Sequence, residues 1–525
     1  MPGSSPGGEA TSGGHGGNGA DPSGSIGPEL PPPAEDAEIP FPQWDGETDA
    51  WCAIQPHNDL GNAARLRARF GADLLYVRHH GWHTWDGRRW DRAGGEDQAQ
   101  LKAQQTAGRI RNEARLFASR SEAKAAEALE THARRSGASG AVMAMIAQAR
   151  PHLTVGLEAM DTRPELVCCT NGTLELSARG VRRRASRRED RITRLAPVAY
   201  DEEADFPLFK AFLEDILPDR EVREFLQRWF GYCLTGYAHE QVLVICHGTG
   251  ANGKSTLIDV LRHVLGDYTV VLPFSSLLTD DRRRGGDATP DLARLPGARL
   301  VTASEPELGK AFSEAVIKTL TGEGQVVARH LREEFFEFAP QFKLVLSCNN
   351  KPTVRGNDEG TWRRVLLVPF TETIPLAARD KHLAAKLVDE ASGVLNWLVE
   401  GARWYLAEGL AVPQAVRMAT GDYRDESDPM GDFLRSWVIT GEAGRGRRAG
   451  AAWLYLAYEA WCAESMVSPL SSTRFGRKMN DRGYRKEKSS GWFYLDMALT
   501  EEAEAAAAAI EASRRRADAG RVGRV

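Results

Sequence analysis

The chain has few cysteines and no long apolar run. Its 525 residues include 7 cysteines, an odd number, and no C-x-x-C pair occurs anywhere. This argues against a disulfide framework and against a zinc knuckle. The longest apolar runs, such as Val242–Cys246 and Val365–Val368, have the length of a strand, whereas a membrane-spanning helix needs roughly 20 residues. We therefore expect neither disulfides nor a membrane segment.

Excess charge is also absent, and basic residues are missing from the first part of the chain. Lys and Arg number 67 against 72 Asp and Glu, a net charge of -5. This balance excludes a uniformly basic nucleic-acid coat protein but leaves room for local basic surfaces. Because the first basic residue is Arg65, we expect no secretory, twin-arginine or organelle signal. The sequence thus predicts a soluble, cytoplasmic protein with room for about three domains.

The composition of the first half of the chain indicates a tail followed by a small domain. Residues 1–45 are rich in Gly, Pro, Ser and acidic side chains and are predicted to be a disordered tail, since they cannot offset ordering entropy by burial. A small α+β domain is expected over 49–196, with a β-meander at 74–90 and helices over 98–150. Asn171-Gly172 lies between two apolar runs and predicts a type I′ hairpin.

The second half is predicted to hold two further domains. Short apolar strands alternate with helical patterns over 200–400, which is typical of an α/β domain with a largely parallel sheet. Its two leading helices (206–236) are separated by Pro218-Asp219, with Asp219 as a helix cap. We assign the remaining segments as a helical connector and polar linker over 401–430, a compact domain over 431–499 and an Ala/Arg-rich tail over 500–525.

A phosphate-binding motif follows the first strand of the α/β domain. The pattern G-x-x-x-x-G-K-S is made by Gly248, Thr249, Gly250, Ala251, Asn252, Gly253, Lys254 and Ser255, and Thr256 opens the next helix. In such a loop the glycines turn backbone N–H groups toward the phosphates, the Lys reaches the β- and γ-oxygens and the Ser hydroxyl ligates Mg²⁺. The motif predicts binding of a nucleoside triphosphate.

Polar residues end the following strands of the same domain. Glu305 and Glu307 come directly after one predicted strand, and Asn349 follows the next. A carboxylate at the first place can hold Mg²⁺ and polarise the attacking water, and an amide at the second can sense the γ-phosphate. Arg363 and Arg364 precede a fourth strand, where an arginine could project into a neighbouring subunit's nucleotide.

Taken in order, these motifs resemble the superfamily 3 helicases, and within them the phage/plasmid primase–helicase family related to the poxvirus replicative helicase. The resemblance covers about Asp49 to Leu499. Its N-terminal part is carried by NDLGNA at 58–63, Trp82, WDG at 85–87, Trp90 and Asn171-Gly172. The core matches are GTGANGKST at 248–256, ARLVTASE at 298–305, IKTLTGEGQVVARHLREE at 317–334, LVLSCNNKP at 344–352 and GTWRRVLLVPF at 360–370.

This resemblance implies an AAA+-like P-loop ATPase that forms a ring, usually a hexamer, and moves 3′→5′ along single-stranded DNA. By position, Lys254 and Ser255 would serve ATP and Mg²⁺, Glu305 would be the catalytic acid and Asn349 the sensor. Arg363 or Arg364 would be the finger that acts in trans. Many ring ATPases have an Asp-Glu pair where this chain has Ser304-Glu305, so Glu305 either does both jobs or shares them with Glu307.

Two basic regions are candidates for DNA contact. The family places a DNA-gripping hairpin between the second and third motifs, where this chain has Lys318, Arg329, His330 and Arg332; a solvated charged hairpin is the alternative. The C-terminal domain resembles a winged helix with a basic helix and a basic wing, or serves protein contact instead. Its basic residues are Arg474, Arg477, Lys478 and Arg482 on the helix, with Arg485 and Lys486 on the wing.

The sequence as a whole predicts an ATP-dependent, ring-forming DNA helicase of a phage, plasmid or integrated element. Its expected partners are ATP, Mg²⁺, single-stranded and duplex DNA, and further copies of itself. We expect no primer synthesis by this chain alone, because its N-terminal region shows neither strand-borne paired carboxylates nor zinc ligands. Two alternatives stay open: a bifunctional primase–helicase, and an origin- or partner-binding ATPase that serves as an assembly switch.

Overall fold

Three packed units follow one another along the chain. The computed structural model describes residues 46–278, 289–304, 312–322, 324–352, 354 and 359–522. The predicted disordered tail therefore lies outside the described residues. None of the described helices combines the length and the apolar character that crossing a membrane requires.

The N-terminal unit packs helices against a sheet of strand order β3-β2-β1-β4. A second sheet, of order β5-β6-β7, follows in the chain, and its buried side chains join the core of the central unit. The elements of this part of the chain are α1 (Gly46–Ala53), α2 (Asp59–Phe70), β1 (Leu74–Val77), β2 (Gly81–Trp85), β3 (Trp90–Asp91), α3 (Gly95–Ser119), α4 (Ala123–Ser136), α5 (Ser139–Leu153), β4 (Thr154–Val155), β5 (Leu166–Cys169), β6 (Gly172–Ser177) and β7 (Gly180–Arg184). The predicted meander and helices are both present. Small buried side chains of α3, such as Ala99 and Ala103, let it approach Trp82 of β2 closely.

The hairpin of β5 and β6 is present as predicted, but its predicted type I′ turn is wrong. Cys169 pairs with Gly172, which leaves Thr170-Asn171 as the loop, and neither loop residue has the positive φ that a type I′ turn requires. Asn171 is held from outside instead, since its Oδ1 accepts from the Tyr200 N–H at 3.0 Å and its Nδ2 donates to the Tyr200 carbonyl at 2.9 Å.

The central unit is built on a sheet of five described strands in the order β14-β8-β13-β10-β9, each paired in parallel. Its elements are α6 (Pro207–Ile216), α7 (Arg220–Leu234), β8 (Leu243–His247), α8 (Lys254–Leu265), β9 (Thr269–Val271), β10 (Leu300–Ser304), α9 (Glu314–Thr321), β11 (Val326–Ala328), β12 (Phe336–Phe338), β13 (Lys343–Cys348), α10 (Glu359–Trp362), β14 (Val365–Pro369), α11 (Leu383–Asp389), α12 (Ala391–Glu408) and α13 (Gln414–Glu426). The predicted α/β class and parallel sheet are confirmed, and Asp219 caps α7 as expected.

Two buried basic side chains form hydrogen bonds between the amino-terminal edge of this sheet and the neighbouring segments. Arg299 donates to the Leu166 carbonyl of the N-terminal unit and to the Leu234 carbonyl at the end of α7, both at 2.6 Å. Lys343 donates to the Tyr237 carbonyl at 3.0 Å, and its burial lowers its pKa to about 7. The amino-terminal edge of the sheet is therefore held in place, and the candidate site lies at the opposite, carboxyl-terminal edge.

The C-terminal unit contains a three-stranded antiparallel sheet of order β16-β18-β17. Its elements are α14 (Pro429–Trp437), β15 (Val438–Ile439), β16 (Arg448–Gly450), α15 (Ala451–Glu464), α16 (Ser472–Asp481), β17 (Lys486–Lys488), β18 (Trp492–Leu495), β19 (Ala498–Leu499) and α17 (Glu501–Val522). Lys488 pairs with Trp492, so residues 489–491 close the hairpin expected there.

One segment differs from its predicted character, and another has the helix expected of it. The polar linker expected within 401–430, at 422–430, is helical except near 427–428, and its Tyr423 is 2% exposed. The Ala/Arg-rich tail at 500–525, expected to begin as an Ala/Glu helix, begins as α17, whose Ala503 and Ala507 are fully buried in the core of the C-terminal unit.

Candidate functional site

The candidate site is a cavity at the carboxyl edge of the parallel sheet, where ligands of open α/β sheets bind. Its volume is about 360 Å³, and it is lined by residues 250–256 together with Ser304, Ser347, Cys348 and Asn349. The structure thus brings the predicted phosphate loop together with the predicted sensor and with the end of β10. Residues far apart in the sequence meet here because β8, β10 and β13 end at the same edge.

Glycine is required at two positions of the loop 248–253. A Cβ on Gly248 would lie 2.4 Å from the Phe370 carbonyl oxygen, and one on Gly253 would lie 2.6 Å from Cγ2 of Ile216. Gly253 also has a φ of 74°, in the left-handed region that favours glycine. The loop is therefore pressed against α6 and against the end of β14, and it has little freedom to change shape.

Asn252 holds the loop in this shape from within. Asn252 is 2% exposed. Its Oδ1 accepts from the Gly250 N–H at 2.7 Å and from the Lys254 ammonium at 2.9 Å. Its Nδ2 donates to the Glu372 carbonyl at 2.6 Å. From the sequence, Asn252 is expected only to bind nucleotide, and its structural role is missed. The residue type could have indicated that role, because an asparagine amide can both donate and accept hydrogen bonds within a loop.

Lys254 lies at the centre of the site. It is 5% exposed, and its Nζ donates to the Gly248 carbonyl at 2.9 Å and to Oδ1 of Asn349 at 3.2 Å. The two residues come from α8 and from the segment after β13, 95 positions apart. The loop lysine and the predicted sensor are therefore close enough to act on one ligand.

The N-terminus of α8 borders the cavity and favours an anion there. The helix begins after Gly253, which makes no side-chain cap, and residues 254–256 of its first turn line the cavity, where the N-terminus of a helix stabilises negative charge. Ser255 is exposed in that turn, and its hydroxyl is a suitable Mg²⁺ ligand. Glu305 and Glu307, the predicted acidic partners, lie outside the described residues.

The two candidate finger arginines have different surroundings. Arg364 is 9% exposed and donates to the Gly360 carbonyl at 2.7 Å and to Oε1 of Gln241 at 3.0 Å. Arg363 is exposed. Both precede β14, at the edge of the sheet opposite the loop 248–253, and five strand residues put roughly 16 Å between the two edges. Arg364 is thus held inside its own unit, and Arg363 is the residue presented outward.

The predicted DNA hairpin exists, but its residues have separate roles. Lys318 lies on α9 instead of on the hairpin formed by β11 and β12. In the hairpin loop, the Arg329 guanidinium lies 4.6 Å from the Phe335 ring, and Arg332 is exposed. The His330 ring lies 5.5 Å from that of His80 in the N-terminal unit. One side of this loop therefore contacts the N-terminal unit.

The basic helix α16 has the two faces predicted for it, with one exception. Phe475 and Met479 are buried, while Arg474 and Arg477 are exposed and Lys478 is half-buried. The expectation that Arg482 shares this basic face is wrong. Arg482 Nη2 donates to both carboxylate oxygens of Asp428, at 2.5 and 2.6 Å, which ties the end of α16 to the start of α14.

The predicted wing is the hairpin of β17 and β18, and its basic residues are exposed. Arg485 pairs with Asp496 at 3.2 Å, and both side chains stay largely exposed. The Lys486 ammonium lies 5.1 Å from the Trp492 ring across the hairpin. The predicted wing residues are therefore accessible on β17 and in the segment before it.

Comparison with known proteins finds relatives for the first two units. A family model described as "D5 N terminal like" matches residues 63–218, and a family of unknown function (DUF5906) matches residues 246–364.

"Putative helicase L207/L206" of Acanthamoeba polyphaga mimivirus is 32% identical over 46% of this chain and 27% of its own length. "Putative helicase 022R" of Frog virus 3 is 30% identical over 43% of this chain and 25% of its own length. "Putative primase C962R" of African swine fever virus is 24% identical over 40% of this chain and 22% of its own length.

The chain is similar to putative helicases and to a putative primase of large DNA viruses. These similarities support the resemblance to viral helicases and primases that the motifs indicate, and membership of superfamily 3 stays a prediction. The match over 246–364 contains the loop 248–253, Asn349 and both candidate arginines. The chain spans about a quarter of the length of the curated relatives that it matches.

Proposed function

We propose that this protein is an ATP-dependent DNA helicase of superfamily 3 that acts as a ring in the replication of a phage, plasmid or integrated element, in the cytoplasm. In this proposal the central unit is an AAA+-like P-loop ATPase that translocates on single-stranded DNA. The observation that carries it is the convergence of Lys254, the N-terminus of α8 and Asn349 on one cavity.

The residues of the cavity suit a nucleoside triphosphate. The N–H groups of the α8 N-terminus and the Lys254 ammonium would hold the phosphates, with Mg²⁺ held by Ser255 and by a carboxylate after β10. Asn349 would orient the attacking water from the end of β13. The Lys254 ammonium donates to the Gly248 carbonyl and to Oδ1 of Asn349, and in this proposal phosphate oxygens replace one or both of these acceptors.

A ring is supported by the position of Arg363. It is exposed at the sheet edge opposite its own loop, so it can serve a nucleotide only on a neighbouring subunit. Arg332, which is exposed in the hairpin loop, would then face the strand in the channel with Arg329 beside it. His330, which contacts His80 of the N-terminal unit, would position the loop. A hexamer is the assembly that the family resemblance implies.

The C-terminal unit is proposed as a winged-helix DNA-binding domain. The order α14, β16, α15, α16 and a β17–β18 hairpin supports this assignment, as do the basic residues of α16 and of the wing. Primer synthesis is the second candidate function, because one relative is named a primase. Incorporation of labelled nucleotides on a single-stranded template would detect that activity.

Lys254→Ala tests the proposal. It removes the charge that stabilises the developing γ-phosphoryl charge, so we expect loss of ATP hydrolysis and of unwinding of a forked DNA, with an unchanged far-ultraviolet spectrum. Lys386→Ala is the matched control, since Lys386 is exposed on α11 and pairs with Asp380 at 2.6 Å. Unwinding by the Lys254→Ala protein at the wild-type rate would contradict the helicase assignment.

A further inference from the structure

A second cavity lies between the central unit and α16. Its volume is about 880 Å³. One wall comes from the segment after Asn349 and from the end of α13, and the other from α16 and the segment before it. The lining residues are Lys351, Pro352, Val354, Tyr423, Glu426, Ser427, Pro429, Ser468, Leu470, Arg474, Arg477 and Lys478. We call this cavity the α16 groove.

The α16 groove is strongly basic. Among the described residues, its lining holds four cationic side chains, Lys351, Arg474, Arg477 and Lys478, and one carboxylate, that of Glu426. That carboxylate pairs with Lys351 at 2.7 Å, which leaves the cations of α16 without an acidic partner among the described lining residues. The excess charge favours an anionic occupant, and four cations from two walls can contact several phosphates at once.

A single strand fits this place better than a duplex does. A recognition helix enters the major groove with its basic face open, but here that face looks across the cavity at Lys351 and Pro352. A duplex on α16 would therefore also meet the wall that Lys351 and Pro352 form. A single strand is narrow and flexible, and the apolar lining at Pro352 and Leu470 can contact sugars and bases while the cations meet phosphates.

We propose that the α16 groove binds a single strand of nucleic acid, with Lys351 on one wall and Arg474, Arg477 and Lys478 on the other contacting its phosphates. The inference rests on the proposed function, because the strand is the one that the helicase would hold or release. The proposed strand-binding surface includes Lys351, two residues after Asn349, and is separate from the hairpin loop of β11 and β12.

Fluorescence anisotropy of the full chain with labelled oligothymidylate, over a range of salt concentrations, tests the proposal. Lys351→Gln and Arg477→Gln should each weaken binding several-fold and lower the slope of log affinity against log salt by about 0.7. Glu426→Gln should strengthen binding, because it removes the one acid of the lining. Lys386→Gln on α11 is the control and should change neither quantity.

The outcomes separate the alternatives. If Arg477→Gln lowers the affinity for duplex while Lys351→Gln changes nothing, α16 binds duplex and the proposal is overturned. It is also overturned if Glu426→Gln weakens single-strand binding or if none of the groove variants alters it. ATP hydrolysis by the wild type, and its loss in Lys254→Ala, report on the proposed function separately, since Lys351 and Arg477 take no part in the nucleotide cavity.

Discussion

Neighbouring residues of this chain can have opposite surroundings, as Arg363 and Arg364 do. The Arg364 guanidinium is enclosed and donates to a carbonyl and to a glutamine side chain, whereas Arg363 faces outward. The first arrangement stabilises the entry into β14. The second leaves a guanidinium available to a partner.

Substituting each arginine in turn should therefore separate stability from catalysis. Arg364→Met removes the hydrogen bonds that the guanidinium donates to the Gly360 carbonyl and to Oε1 of Gln241, and we expect a loss of about 1–3 kcal/mol in the free energy of unfolding. Arg363→Met should change that free energy by no more than about 0.5 kcal/mol yet reduce ATP hydrolysis. Urea denaturation and steady-state hydrolysis measure the two effects. Equal destabilisation by both variants would argue that Arg363 is structural as well.

At the scale of elements, α13 connects the nucleotide cavity with the C-terminal unit. Its Tyr423 hydroxyl donates to the Pro352 carbonyl just after Asn349, and the Tyr423 ring meets Trp362, which directly precedes Arg363, at 5.2 Å. Glu426 at the end of the helix pairs with Lys351. Two residues later Asp428 receives Arg482 from α16. One helix end thus contacts both the sensor segment and the finger segment.

Removal of Arg482 should affect folding of the C-terminal unit and leave nucleic-acid binding largely intact. Arg482→Gln removes the cation that pairs with the 8%-exposed Asp428, and loss of one member of a buried pair costs about 3 kcal/mol. We expect faster hydrogen exchange in α16 and an unchanged salt slope of DNA binding. Arg477→Gln should give the reverse pattern. The double variant Arg482→Gln, Asp428→Asn should recover part of the loss; no recovery would mean that the two charges do not interact.

The elements could be predicted where one local rule dominates, and not where distant contacts decide. The parallel strands, the glycine loop and the Asp219 cap follow from apolar runs, from motif spacing and from cap chemistry. The turn at Thr170-Asn171 could not be predicted, because Tyr200 holds Asn171 from 29 residues away. The polar composition of the end of α13 predicts a linker, whereas the buried Tyr423 and the Glu426–Lys351 ion pair hold it as a helix. Helical spacing places Arg482 on the basic face of α16, whereas its ion pair with Asp428 turns it inward.

At the scale of the whole molecule, the candidate catalytic groups lie on opposite edges of one sheet. Lys254 and Asn349 lie at the carboxyl edge, and Arg363 lies at the amino edge, roughly 16 Å away along the strands. No side chain spans that distance. In the proposed function, Arg363 therefore reaches a nucleotide when the amino edge of its sheet lies against the carboxyl edge of another copy.

Mixed assemblies should therefore recover an activity that neither variant has alone. Arg363→Ala subunits keep an intact loop and Lys254→Ala subunits keep an intact finger, so a mixed ring contains interfaces in which both are present. A finger in trans contributes on the order of 10³-fold or more in rate, so these interfaces should dominate the measured ATP hydrolysis. The rate should pass through a maximum as the mixing ratio varies. Subunit exchange is checked by energy transfer between differently labelled chains, and a flat rate despite exchange would place Arg363 outside the site of its neighbour.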